Sequence, residues 1–159
     1  MKKGNFTLHK FKLLKKGVEV SYTEPRGDTE DRISIEGDKY PHEDLINLLL
    51  TLKEPLANVF GFVMEDVEDL VHPTGIHISG TGNKQAFIIT GTFKTELGTV
   101  AINTPRIPVI SDMFPWIDDI VKEDGLIDQL KEEIYQYFVK SKNSQLQIPF
   151  DTEVQKEED

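Results

Sequence analysis

Residues 76–102 read IHISGTGNKQAFIITGTFKTELGTVAI, and this stretch decides the fold class. Ile76 and Ile78 alternate with His77 and Ser79, the period of a strand with one buried face. Gly80-Thr81-Gly82-Asn83 is a turn cluster, and the apolar run Ala86–Phe93 returns. Glu96-Leu97-Gly98 turns again, and Val100–Ile102 closes a three-stranded meander. Strands joined by such short turns pair antiparallel, so the covering helices must come from elsewhere in the chain. The chain reads as α+β.

Working outward, Pro105 and Pro108 end the meander, and Ser111 or Asp112 caps a helical region carrying Phe114, Trp116, Ile117, Ile120 and Val121. Asp124-Gly125 interrupts it before Leu126, Ile127, Leu130, Ile134, Tyr137 and Phe138 continue at helical spacing. Toward the N-terminus, Phe6 and Leu8 share one face, and Phe11 and Leu13 share one after a single-residue slip. That slip implies a β-bulge near Lys10. Lys15-Lys16-Gly17 turns the chain, with Gly17 placed where positive φ is cheap, and Val18, Val20 and Tyr22 return. Pro25-Arg26-Gly27-Asp28 reads as a polar loop, and Ile33 and Ile35 mark a third strand ending at Gly37. Pro41 suits a helix start, and Leu45, Ile46, Leu48, Leu49, Leu52 and Leu56 follow it, with Pro55 kinking or splitting the helix.

The order is three strands and a helix, then three strands and a helix. Two pseudo-repeated antiparallel units are therefore expected, on two sheets or one, with Leu45, Leu48, Leu49 and Leu52 in the core beside Ile88 and Val100. Residues 1–140 form a single domain in this reading, and 141–159 form an extended acidic tail.

Composition narrows the function classes. There is no cysteine, hence no disulfide framework, thiol nucleophile or sulfur-based zinc site. No apolar run approaches the roughly 20 residues of a membrane span. Met1-Lys2-Lys3-Gly4-Asn5 is basic but no apolar region follows, so it does not read as a secretory signal and a cytoplasmic location is expected. Gly80-Thr81-Gly82-Asn83-Lys84 lacks the spacing of a phosphate loop and lies between strands, which makes it a hairpin turn. His72 and His77 lie near Glu65, Asp66, Glu68 and Asp69 in sequence, without a metal-ligand spacing, so no metal site and no cofactor are assigned. No serine or threonine occupies a nucleophile elbow, and no catalytic residue is assigned.

The formal net charge of −10 argues against a duplex-DNA binder held by phosphate contacts. Yet Lys2, Lys3, Lys10, Lys12, Lys15 and Lys16 all precede the first acid, Glu19. The bland account is a solvated basic hairpin. The sharper one is a weak single-stranded-DNA patch built on Lys10, Lys12, Lys15 and Lys16, with Phe11 and Tyr22 as stacking groups.

The tail holds the most specific signal. Gln145-Leu146-Gln147-Ile148-Pro149-Phe150 is a short apolar island before the acidic run Asp151–Asp159. Pro149 favours an extended Ile148, so Leu146, Ile148 and Phe150 project from one side of an extended segment. The pattern resembles the peptide by which bacterial polymerases, repair proteins and some phage proteins bind the sliding clamp, Gln-Leu-x-Leu-x-Leu/Phe. The resemblance rests on Gln145, Leu146, Ile148 and Phe150, and departs from the pattern in Ile148 and Pro149. It implies a non-enzymatic accessory protein whose partner is the bacterial sliding clamp. The competing reading makes the same residues a last edge strand or a strap on a neighbouring subunit of a homo-oligomer. Ile148-Pro149-Phe150 is also similar to the tip of bacterial single-stranded-DNA-binding proteins, but there the Phe carboxylate ends the chain and the acids come before. The segments 72–80 and 87–93 look like those of small uncharacterised proteins of bacterial phages and mobile elements, which implies a phage-type context.

Overall fold

The computed structural model describes residues 1–144. The island Gln145–Phe150 and the acidic run after it lie outside the described residues. The chain runs β1 (Thr7–Leu13), β2 (Val18–Arg26), β3 (Thr29–Gly37), α1 (Glu43–Leu50), α2 (Lys53–Val59), α3 (Met64–Val67), β4 (Val71–Ser79), β5 (Ala86–Thr95), β6 (Gly98–Asn103), β7 (Ile107–Pro108), α4 (Trp116–Val121) and α5 (Leu126–Val139). All strands join one antiparallel sheet in the order β3-β2-β1-β4-β5-β6, with β7 pairing β5 beyond the end of β6. The protein is α+β, and both meanders lie in one sheet, joined by the β1–β4 pair.

The helices cover one face of that sheet. A row of apolar side chains crosses beneath them: Ile35, Val20, Phe11, Ile76 and Ile89 stand opposite one another on five successive strands. Buried Thr104 continues the row, its Oγ1 accepting from Ile89 N at 3.0 Å. Helices α1 and α2 pack on β4, α2 also reaches β5, and α5 lies against α1 and α4. Leu45, Leu49, Leu52, Leu56, Leu130 and Ile134 fill the space between.

The phase slip in β1 falls at His9, between Leu8 opposite Tyr22 and Lys10 opposite Ser21. It turns Leu8 and Phe11 to the same, helix-covered side. Pro55 sits in the first turn of α2, where its missing N–H costs little, and the chain breaks at Thr51-Leu52.

Several expectations are corrected. The α1 helix begins at Glu43, after Pro41, because His42 is the cap: its Nδ1 accepts from Asp44 N at 3.1 Å. Pro25 and Arg26 belong to β2, and only Gly27-Asp28 form the turn, with Gly27 at φ +59°. Gly17 is needed for close approach instead of positive φ, since a Cβ there would fall 1.8 Å from Gly37 O. Ile88 faces away from the helices. The run Ala86–Ile89 is apolar on both sides, and pairing of Ile78 with Phe87 and Ile76 with Ile89 fixes the phase. Val100 points to the helix side but is 48% exposed, since the helices pack chiefly on β4 and β5. Leu48 is only partly buried. Past the boundary expected at 140, Ser144 N donates to Tyr40 O at 2.9 Å, and Asn143 bridges to Pro41. No helix among the described residues is long and apolar enough to cross a membrane.

Candidate nucleic-acid interface and docking segment

The uncovered face of the sheet carries the lysines picked out from sequence. Cross-strand pairing sets Glu36, Glu19, Lys12, Gly75, Thr90 and Asn103 in one row and Ser34, Ser21, Lys10, His77 and Ile88 in the next. Gly75 leaves a dip in the first row. A Cβ there would lie 2.3 Å from Phe11 O and 3.1 Å from Thr90 Oγ1. The resulting trough, of about 430 Å³, is lined by Lys10, Lys12, Thr90, Thr92, Ala101 and Asn103 among others.

Its electrostatics are mild. Lys10 Nζ donates to Glu19 Oε2 at 3.0 Å, and Glu19 also stands directly opposite Lys12. The charge separation seen along the sequence is undone by strand pairing, which returns an acid to the basic strand. Lys15 and Lys16 lie in the β1–β2 turn, where a shallow pocket brings Lys16 near Glu36 and Asp38. The four lysines therefore form two small groups, each with acids beside it.

Phe11 and Tyr22 are not available for stacking. They are 1% and 3% exposed on the helix-covered face, and Tyr22 meets Phe6 edge-on at 5.4 Å. Base stacking needs an accessible ring face, so this part of the expected site is withdrawn. Burial also holds the His9 imidazole below its ordinary range, with Arg32 adding to the effect, and its Nε2 lies 3.1 Å from Thr23 Oγ1.

The second candidate is the exit of the chain from the domain. After α5, Ser141 takes φ +57° and the chain turns back. Lys142 Nζ reaches Asp44 Oδ2 at 2.8 Å and Glu133 Oε1 at 3.0 Å. The hydrogen bond from Lys142, helped by its charge, holds the Asp44 carboxyl below its ordinary range against an opposing effect of burial. Burial disfavours the Lys142 ammonium, but its bonds to Asp44 and Glu133 and their charges outweigh this and raise its pKa. With Ser144 bonded to Tyr40, the path is fixed up to the residue before Gln145. Sequence reading missed this clip; the hint was a lysine, Lys142, following a helix that carries Glu132 and Glu133.

A groove also missed from sequence, of about 570 Å³, runs between α1–α2 and α4–α5 with Leu48, Asn58, Trp116 and Ile120 in its wall. Trp116 Nε1 donates to Asn58 Oδ1 at 3.1 Å across it. Among the described residues no three His, Asp or Glu side chains come together as a metal would require. No protein-family model matches the chain, and no curated protein or solved structure matches it significantly.

Proposed function

We propose that the chain is a non-enzymatic accessory protein of phage-type DNA replication or recombination, docking on a bacterial sliding clamp through Gln145, Leu146, Ile148, Pro149 and Phe150. The motif supplies the chemistry. A Gln amide both donates and accepts in a polar niche, and three apolar anchors fill a pocket. At roughly 1.5–3 kcal/mol each, less the ordering costs, they suit micromolar affinity. The observation that carries the reading is the clip at Lys142–Ser144, which starts the motif from a fixed point beside Tyr40.

The test is a titration of the full chain against purified bacterial clamp, beside the Leu146→Ala/Phe150→Ala double variant. The expected result is micromolar binding by the wild type, its loss in the variant and an unchanged melting temperature. A destabilised variant would instead favour a strap on a neighbouring subunit, and equal clamp binding by both proteins would defeat the motif.

A second reading rests on the trough. Lys10 and Lys12 side by side, with the hydroxyls of Thr90 and Thr92, fit the backbone of single-stranded DNA. Without stacking rings such binding is electrostatic, and so weak and strongly salt-dependent.

A further inference from the structure

We infer that the chain forms a two-fold symmetric dimer in which β6 pairs antiparallel with β6 of a second copy, centred on Ala101. The inference is independent of the clamp reading and concerns a different surface.

The two edges of the sheet are built differently. β3 carries Glu30, Asp31, Arg32 and Glu36 along its length, the charges by which edge strands resist pairing. β6 reads Gly98-Thr99-Val100-Ala101-Ile102-Asn103 and has no charge, no proline and no bulge. Among the described residues no backbone group pairs with its outer side, because β7 joins β5 past the end of β6. Every second N–H and C=O of such a strand points outward and needs a partner or water.

What selects a second copy as the occupant is that β6 complements itself. Directly opposed residues in an antiparallel pair share a face, so a two-fold axis at Ala101 sets Val100 against Ile102 of the other copy. Both lie on the helix side, where Val100 is 48% exposed and Ile102 only partly buried. On the open face the same axis sets Thr99 against Asn103, a hydroxyl against an amide, and Ala101 against Ala101. The small residue thus falls where two identical side chains must meet. Phe62, which packs on Phe93 at 5.0 Å, extends the apolar rim toward this edge, since Phe93 stands opposite Val100. The product is a continuous sheet twelve strands wide, with each β7 still beside its own β5 and the charged β3 strands at the two ends.

The chain has no cysteine, so one introduced thiol reports position cleanly. The experiment uses the full chain carrying Ala101→Cys or Thr99→Cys, mildly oxidised by air with a copper catalyst. Opposed residues at the axis lie about 5.5 Å apart between Cα atoms, within disulfide range. The expected result is a covalent dimer for Ala101→Cys and at least tenfold less for Thr99→Cys, whose own copy lies far along the strand. Equilibrium sedimentation should show a concentration-dependent dimer for the wild type. Ala101→Asp should be monomeric at every concentration and melt at the temperature of the dilute, monomeric wild type, since the side chain is exposed within one copy. A monomeric wild type at high concentration, equal cross-linking at both positions, or a dimer that survives Ala101→Asp would each overturn the proposal; the last would point to the tail or another surface.

Discussion

Gly37 is the residue at which three elements meet. It ends β3, its carbonyl lies against Gly17, and the ring of Tyr137 from α5 covers it. A Cβ on Gly37 would fall 2.3 Å from Tyr137 Oη, and that hydroxyl is fixed: it donates to Lys39 O at 2.5 Å and accepts from Lys39 N at 3.1 Å. Gly37→Ala should therefore cost about 1–3 kcal/mol in a denaturant titration. The cost should be less than additive with Tyr137→Ala, which removes the obstructing ring. The Lys142 clip makes a second residue-scale prediction, in pH. Asp44 titrates below its ordinary 3.8, so its contribution to stability is present above that value and lost as pH falls through the depressed pKa. Lys142 titrates above its ordinary 10.5, so its contribution is present below that value and lost as pH rises through the raised pKa. The stability difference between wild type and Lys142→Met should be flat between those limits and close at both ends. A difference that changes through neutral pH would show that another group holds the exit.

At the scale of elements, α2 approaches the sheet more closely than any ordinary side chain would permit. Leu56 Cδ2 would lie 2.5 Å from a Cβ on Gly91, and His72 O 2.7 Å. Leu56 is fully buried at this contact, so Leu56→Ala should cost about 2–5 kcal/mol by unfolding measurements, the range for an emptied core site. Strands and helices of this size were legible from sequence because their apolar periods were regular. The bulge in β1 was legible because it shifted that period by one residue. Sequence failed where a segment was apolar on both faces, as at Ala86–Ile89, since only the partner strand sets the phase. It also failed on Phe11 and Tyr22, where an aromatic among lysines suggested a stacking site. Alternation of Phe11 with Leu13 and of Tyr22 with Val20 already placed both rings on the buried side, and that signal was the better one. Gly17 shows the same limit, because a close approach by Gly37 leaves no trace near Gly17 in the chain.

The whole molecule shows why a basic segment need not make a basic surface. The lysines of β1 precede every acid in the chain, yet β2 and β3 bring Glu19 and Glu36 beside them. Lys12→Glu with Lys10→Glu should abolish any single-stranded-DNA binding in a low-salt titration, while binding that survives would place the interface elsewhere. The same assembly has a kinetic side. Each meander is local, closed by turns of a few residues, but the β1–β4 seam joins Phe11 to Ile76, and α5 is fastened to Lys39 by a contact spanning 98 positions. Hairpins close in about 1–10 μs, whereas a seam between distant strands must first overcome the entropy of the loop it encloses. The two halves should thus form early and wait for one another, with the seam setting the folding rate. Truncation at the seam, Ile76→Val, should slow refolding in stopped-flow measurements, whereas Ile33→Val on the outer strand should chiefly hasten unfolding.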